Sequence, residues 1–342
     1  MKNCAIIALV VLTLRAGVAG PPLMLGDIHP EGSASPDQLA VCGPYLLFVA
    51  EDGISGRELW RTDGSPEGTT LTKDVSQGPV GSNIESLFPF GSKLLFLADD
   101  GVHGQELWTW EDEEARLVKD IHDGTAGSNI GIDDDGGEVT PRFLTIEDTT
   151  YFVANDGQHG AEIWETNGRL EGTDIIHDFL PGPDAYDIDQ LTSFKQNLYY
   201  ILENQSLYRF DQGIGELQRI DEAYVPQNGM HELQPAGDKL FVSINFGAFD
   251  GALAYSDGER LWRVRNMVPT DGAEGTRVEM LTPFGERFYF RLVIFERESD
   301  EYFEEGDETW GSDGTHDNTT MAGRTFFKFH GVFKDHLYFS RS

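Results

Sequence analysis

The sequence has 342 residues, and its 59 Asp and Glu outnumber its 25 Lys and Arg, which gives a formal net charge of -34 at pH 7. This excess excludes nucleic acids and anionic membranes as natural partners, because like charges repel over about a Debye length of 8 to 10 Å. Cations and basic proteins are the natural counterparts, unless the carboxylates serve only to keep the protein in solution.

The sequence pattern of residues 1–19 predicts a secretory signal peptide. An apolar run from Ala5 to Leu14 is followed by the small residues 16–20. The run is shorter than the roughly 20 residues that a membrane-spanning helix needs, and no later segment supplies one. We therefore expect a mature chain that is secreted, extracytoplasmic or displayed at the cell surface, without membrane insertion.

Cysteine usage predicts no disulfide in the mature chain. Cys4 lies in the predicted signal peptide, and Cys42 is left without a partner in the sequence. The fold must therefore be held together by packing.

One sequence unit recurs along the mature chain. It is clearest in ELWRTDGSPEGT from Glu58, ELWTWEDEEARLVKDI from Glu106 and EIWETNGRLEGT from Glu162. The aromatic residues at the same place in each copy are Trp60, Trp108, Trp164, Tyr208, Tyr255 and Trp310. Their spacing of 44 to 56 residues is typical of propeller blades of about 40 to 50 residues. We expect these aromatics to belong to the structural core.

Each unit predicts four short antiparallel strands. In the second copy they are IESLFPFG from Ile84, KLLFLADDG from Lys93, QELWTW from Gln105 and ARLVKDI from Ala115, separated by turn-forming Gly, Asp and Ser. The second strand is apolar on both faces, so a neighbouring sheet must cover each side. Blades stacked around an axis satisfy this requirement, whereas a two-layer sandwich leaves one face of most strands polar.

We therefore predict an all-β fold, a β-propeller of four-stranded antiparallel blades, with seven blades of which one is irregular, or alternatively six. Residues 20–342 are expected to form a single propeller domain. The predicted repeat units are 38–75, 84–121, 140–179, 188–221, 231–266 and 277–322, and a partial unit 324–342 is expected to be closed by 23–28.

The strings ELWRTDGSPEGT, ADDGVHGQELW, KDIHDGTAGSN and ANDGQHGAEIW resemble the bacterial ELWxxDGT-repeat family of secreted proteins over nearly all of the mature chain. The resemblance implies a propeller-type surface protein without assigned catalysis. The fourth and fifth copies depart from the pattern, because Tyr208 and Tyr255 replace Trp.

Antiparallel strands place the loops between the second and third strands at the same end of a blade as the connections between blades. We call this end the DG-loop face, after Asp52-Gly53, Asp100-Gly101 and Asp156-Gly157. Two insertions belong to it, one from Gly131 and one from Phe295. They predict an acidic recognition surface that binds a protein, a glycan or divalent cations. Its acidic residues are Asp133, Asp134, Asp135, Glu304, Glu305 and Asp307, and its apolar anchors are Phe295, Tyr302 and Phe303. The competing interpretation is a pair of solvated loops without a ligand.

Calcium is the cofactor that such oxygen-rich loops suggest, with Asp52, Asp100 and Asp156 as candidate ligands. The competing interpretation is that these carboxylates cap their own turns. The spacing of DDDGGE does not match an EF-hand loop.

Catalytic motifs are absent from the sequence, and the histidines recur: His103 and His159 share one place in the repeat, and His29 and His122 share another. We therefore expect a non-enzymatic interaction or structural module. The alternative is an extracellular polysaccharide-active enzyme, a glycosidase or lyase, with its site at the propeller channel.

Overall fold

The computed structural model describes residues 10–11, 14–15, 18–19, 23–132, 136–139, 142–184, 186–220, 229–245, 251–267, 275–284, 287–298, 301–324, 327–333 and 336–341. Within these ranges, helical structure is limited to a 3-10 turn at Leu170–Gly172. No helix in the described part of the chain is long and apolar enough to cross a membrane.

Four short strands come first in the chain: β1 (Val10–Val11), β2 (Leu14–Arg15), β3 (Val18–Ala19) and β4 (Leu23–Met24). β1 pairs with β4, and β2 pairs with β3.

In the described part of the chain, six four-stranded sheets follow, each with its strands hydrogen-bonded in sequence order. Sheet 1 contains β5 (Asp37–Cys42), β6 (Tyr45–Glu51), β7 (Arg57–Thr62) and β8 (Thr70–Lys73). Sheet 2 contains β9 (Glu85–Phe90), β10 (Lys93–Asp99), β11 (Gln105–Glu111) and β12 (Glu114–Lys119). Sheet 3 contains β13 (Leu144–Ile146), β14 (Thr149–Asn155), β15 (Ala161–Thr166) and β16 (Thr173–Ile175). Sheet 4 contains β17 (Ile188–Phe194), β18 (Asn197–Leu202), β19 (Ser206–Asp211) and β20 (Glu216–Arg219). Sheet 5 contains β21 (Met230–Ala236), β22 (Lys239–Asn245), β23 (Gly251–Ser256) and β24 (Leu261–Asn266). Sheet 6 contains β25 (Gly275–Phe284), β26 (Arg287–Glu298), β27 (Glu301–Ser312) and β28 (Thr320–Arg324).

The predicted fold class is confirmed: the protein is all-β, a β-propeller of four-stranded antiparallel blades. The six sheets account for six blades, and the residues expected to form the irregular seventh blade give a two-stranded sheet of β29 (Phe327–Phe333) and β30 (His336–Arg341). Leu23–Met24 pairs with Val10–Val11. Closure of the last unit by residues 23–28 stays a prediction.

The second strands are buried on both faces, as their sequences predict. In β10 the five residues from Leu94 to Ala98 are all buried. Leu94 and Phe96 belong to a cluster that also contains Leu47 and Leu59 of sheet 1, so sheets 1 and 2 pack face to face. Equivalent clusters join sheet 4 to sheet 5 and sheet 5 to sheet 6. Burial of both faces therefore comes from adjacent blades.

The chain divides into two compact units, Met1–Glu138 with Glu147–Ala185 and Val139–Ile146 with Tyr186–Ser342. The first contains sheets 1 and 2 with strands β14, β15 and β16. The second contains β13, sheets 4 to 6 and the β29–β30 pair. A single domain over 20–342 stays a prediction.

A cation near the end of a fourth strand reaches over the aromatic anchor of the next sheet. The three pairs are Lys73 with Trp108, Lys119 with Trp164 and Arg265 with Trp310. In the second pair the ammonium lies 5.0 Å from the ring centroid and also donates a hydrogen bond of 2.9 Å to the carbonyl of Thr173. Such contacts combine cation–π attraction with a charge-assisted hydrogen bond. These contacts explain why a lysine precedes the aspartate in the Lys-Asp dipeptide that recurs at the end of the fourth strand.

Candidate functional site

The DG loops are built by the aspartates that were predicted as calcium ligands. Asp100 Oδ1 accepts hydrogen bonds of 2.9 Å from the backbone N–H groups of Val102 and His103. Asp52 and Asp156 make the same two bonds in their own loops. Partial burial opposes ionisation of these carboxyls, but the hydrogen bonds outweigh it and lower the pKa of all three.

Calcium ligation by these three aspartates stays a prediction. Each carboxylate accepts bonds from its own turn, as the competing interpretation expects. Among the residues whose placement is described, no three His, Cys, Asp or Glu side chains are grouped to hold a metal ion.

The recurring histidines take part in these loops. His103 Nδ1 lies 2.8 Å from Asp100 Oδ2, and His159 Nδ1 lies 2.7 Å from Asp156 Oδ2. The hydrogen bond to the aspartate raises the pKa of both histidines. Each histidine contacts the aspartate of its own DG loop, and this structural role accounts for its recurrence at the same place in the repeat.

The histidines at the second recurring position, His29 and His122, pack against the DG loop that follows them in the chain. The ring of His122, which directly follows the second repeat unit, lies over Gly157 of the third DG loop. A Cβ at Gly157 would stand 2.6 Å from His122 Nε2, and the residue has φ +76. His29 lies over Gly53 in the same way. Glycine is required there both by its backbone conformation and by the ring.

Sequence reasoning missed a buried carboxylate two residues before the aromatic anchor. Glu58 is fully buried, and it accepts hydrogen bonds from Val75 N at 3.2 Å, Ser76 N at 3.3 Å and Ser82 Oγ at 2.6 Å. These donors lie on the connection to sheet 2, so the carboxylate anchors that connection. The equivalent buried residues are Glu106, Glu162 and Glu308.

Burial raises the pKa of Glu58 and Glu106 to about 7, against the opposing effect of their hydrogen-bond donors. The signal in the sequence was the Glu that recurs at the start of ELW and EIW in a strand that is otherwise apolar.

The first strands of several sheets share an irregularity at the DG-loop end. In four sheets, the residue of the first strand that directly precedes the shift in pairing register is acidic. These residues are Asp37, Glu85, Asp189 and Glu279. After the first three of these, the next residue has a positive φ although it is not glycine: Gln38, Ser86 and Gln190. Bulges of this kind re-aim side chains and are often found beside functional sites.

Two of these acids line a cleft of about 580 Å³ in the first unit. Its walls come from the start of β5, the DG loops of sheets 1 and 2, and the connection between these sheets. Its charged residues are Asp37, Glu51, Glu85, Asp99 and Arg57. Arg57 Nη2 lies 2.6 Å from Asp37 Oδ1, so the single guanidinium offsets one of the four carboxylates and the cleft is negative.

The two insertions that were predicted to supply the recognition surface have different outcomes. Asp133, Asp134 and Asp135 lie outside the described residues. The second insertion was expected to be a loop, and this expectation is wrong: residues 295–298 and 301–307 extend β26 and β27 into a long hairpin in which Phe295 pairs with Glu304.

The residues predicted as ligands in this hairpin therefore stand on strands. Tyr302, Phe303, Glu304, Glu305 and Asp307 belong to β27. Phe295 is 7% exposed and has the Arg277 guanidinium 5.2 Å from its ring centroid. Its ring is thus covered rather than available as an anchor.

The aromatic anchors are buried or partly buried, in line with the expected core position. Trp108, Trp164 and Trp310 are buried, and Trp60, Tyr208 and Tyr255 are partly buried.

A second charged group lies on the first two strands of sheet 6. Glu279 accepts hydrogen bonds from two guanidinium groups, those of Arg277 and Arg291. The Arg291 contact is 3.1 Å long. The shared carboxylate holds the two guanidinium groups together. Strand β25, which carries Arg277, packs beside β21, the first strand of the neighbouring sheet 5.

His231 lies on that neighbouring strand. Its ring has an exposed surface, yet adjacent protein atoms reduce its hydration and so lower its pKa; the charge of Arg277 acts in the same direction, and Asp189 and Glu232 oppose it. Sheets 4 to 6 thus bring a histidine, an arginine and acids into electrostatic contact.

Comparison with known proteins gives a fold likeness only. No family model matches the chain, and no curated protein matches it. It is similar to a prolyl endopeptidase, at 10% identity and a TM-score of 0.45 over 87% of this chain, and it spans 44% of that chain. It is similar to the β-propeller domain of the Trilobed protease from Pyrococcus furiosus, at 11% identity and a TM-score of 0.35 over 86% of this chain and 87% of that one. BamB from Moraxella catarrhalis is similar at 13% identity and a TM-score of 0.40 over 89% of this chain and 79% of that one.

Proposed function

We propose that this chain is a secreted or surface-displayed, non-enzymatic interaction module of the ELWxxDGT-repeat type, whose DG-loop face binds a positively charged partner. The observation that carries the proposal is the cleft of about 580 Å³ between sheets 1 and 2, with four carboxylates and one arginine in its walls. A lysine or arginine side chain of a partner protein would find several carboxylates there, and divalent cations share this preference for oxygen ligands.

The surroundings of the cleft also suit a protein partner. Ile54 in the first DG loop, Val102 in the second and Val80 in the connection between them are exposed by 76%, 59% and 87%. Exposed aliphatic side chains around a charged centre supply the apolar area that a protein interface needs.

The test uses charge removal that preserves local hydrogen bonds. Glu51 Oε1 accepts a bond from Gly53 N, and Asp99 Oδ1 accepts one from Gly101 N. The double variant Glu51→Gln/Asp99→Asn keeps an acceptor at both places. A matched control, Asp63→Asn/Asp112→Asn, removes two charges from the turns between third and fourth strands of the same sheets.

Binding of a fluorescent octalysine peptide would be measured by anisotropy at low and moderate salt. We expect the cleft variant to weaken binding by about tenfold and the control to weaken it much less, because only short-range contacts survive screening. Equal losses in both variants would refute the proposal. Titration with calcium chloride provides a second readout: calcium held at Asp52, Asp100 or Asp156 must raise the melting temperature.

The alternative function is an extracellular polysaccharide-active enzyme. The observation that favours it is the group of His231, Arg277 and Asp189, because a histidine of lowered pKa is a suitable general base and an arginine can stabilise developing negative charge. Cleavage of soluble polysaccharides would be assayed with the full chain and with His231→Gln. Turnover that disappears in the variant would support this function, and no cleavage of any substrate would count against it.

A further inference from the structure

The second unit has a cleft at the end of its sheets that carries the turns between the first and second strands and between the third and fourth strands. Its volume is about 780 Å³, and it lies between sheets 5 and 6. The turn Ala236–Lys239 forms one wall with Phe241, and the turn after β27 forms the other with Asp313, Thr315 and Asn318.

The charges in this cleft balance, unlike those of the whole chain. Lys239 Nζ lies 3.1 Å from Asp238 Oδ1. Asp313 accepts hydrogen bonds from Thr315 N at 2.9 Å and Asn318 Nδ2 at 2.6 Å. Arg287, the second cation, donates to the carbonyl of Asn318 at 2.9 Å, and its Nε is buried without an acceptor among the residues described. The cleft therefore offers fixed donors and acceptors without a net charge.

An exposed tryptophan lies in the same cross-strand row of sheet 5 as Phe241, which lines the cleft. Trp262 is 45% exposed and lies directly opposite Tyr255 on the edge strand β24, so the two side chains share a face. The Tyr255 ring centroid is 6.2 Å from that of Phe241 and 5.5 Å from Lys239 Nζ, and both of these residues line the cleft. Trp262 Nε1 donates to Asp257 Oδ2 at 3.3 Å, which holds the indole in place.

We infer that this cleft binds a neutral oligosaccharide, with Trp262 as the stacking platform. A sugar ring has an apolar face of C–H groups that suits an exposed indole, and its hydroxyls both donate and accept, as the carboxylate, amide, hydroxyl and cationic groups of the cleft require. An anionic glycan would meet no net positive charge in the cleft and a protein of net charge -34 around it. The inference concerns sheets 5 and 6, whereas the proposed function rests on sheets 1 and 2, so it stands apart from the proposed function.

The test is isothermal titration of the full chain with four probes: cellohexaose, xylohexaose, maltohexaose and a heparin-derived hexasaccharide. We expect at least one neutral probe to bind. Trp262→Ala should weaken that binding by about tenfold or more, and Trp262→Phe should weaken it less, because a smaller ring still stacks. Asp238→Ala, which removes an exposed acceptor, should also weaken it.

Leu170→Ala serves as the matched control, since Leu170 is an exposed apolar side chain of the first unit, and its binding should equal that of the unmodified chain. Melting curves of all variants establish that they are folded. The inference is overturned if no neutral probe binds, if the heparin fragment binds more tightly than the neutral probes, or if a folded Trp262→Ala variant binds as tightly as the unmodified chain.

Discussion

The buried glutamates make the stability of the chain depend on pH, and a single substitution should remove the share that one of them contributes. Glu106 is fully buried in β11 and accepts hydrogen bonds of 3.2 Å from the backbone N–H groups of Ile121 and His122. Burial raises its pKa from 4.5 to about 7. Glu106→Gln keeps a carbonyl acceptor at this place but cannot ionise.

The raised pKa of Glu106 sets the direction in which stability changes with pH. Below pH 4.5 the carboxyl is protonated in both the folded and the unfolded chain, so it has no pH-dependent effect. As pH rises towards 7, the unfolded chain releases the proton while the folded chain retains it, and the folded state loses stability relative to the unfolded state. Above pH 7 the loss is complete.

The size of the pKa shift sets the change in the free energy of unfolding. One pKa unit corresponds to about 1.4 kcal/mol, so a shift from 4.5 to about 7 costs about 3 kcal/mol in full and about 2 to 3 kcal/mol between pH 5 and 8. Net repulsion in so acidic a protein also lowers stability as pH rises, but it acts almost equally on the variant.

The assay is urea unfolding of the unmodified chain and of Glu106→Gln at pH 5 and pH 8. We expect the difference in unfolding free energy to shift by about 2 to 3 kcal/mol in favour of the variant at the higher pH. The control is Glu171→Gln, in an exposed turn, which should shift little. A parallel pH dependence of Glu106→Gln and the unmodified chain would refute the reasoning.

Three further predictions concern the contacts between repeats. Lys119→Met should lower the free energy of unfolding by about 1 to 3 kcal/mol, because it removes a cation–π contact and a charge-assisted hydrogen bond; no change in urea unfolding would contradict this assignment. Gly157→Ala should lower the melting temperature more than Gly215→Ala, since both glycines have positive φ but only Gly157 has a histidine ring against it; equal losses would count against a role for the ring. Asp156→Ala should lower the pKa of His159 towards its ordinary value, because the hydrogen bond that raises it is removed; an unchanged NMR titration would show that this bond does not set the pKa.

Local patterns were enough to predict the strands and the fold class. The strand from Lys93 has apolar residues on both faces, which can be buried only by sheets on either side, and the structure places sheets 1 and 2 face to face through Leu94 and Phe96. Hydrophobic periodicity and turn residues act over a few positions, so they are visible in the sequence.

The candidate sites were less visible, because they depend on contacts between residues far apart in the chain. Phe295 looked like a loop anchor among acidic residues, but pairing with β27 makes it part of a strand and Arg277 covers its ring. The cleft between sheets 1 and 2 joins Asp37 to Asp99 across 62 positions.

The sequence alone is enough to derive the repeat, the strand order within each repeat and the need for a covering sheet on both faces, since these follow from the residue types of adjacent positions. The sequence does not show which carboxylates are buried, which cation covers which tryptophan or which polar groups converge on a cleft. Those properties depend on the packing of one sheet against the next, where distance and exclusion of water set the strength of each interaction.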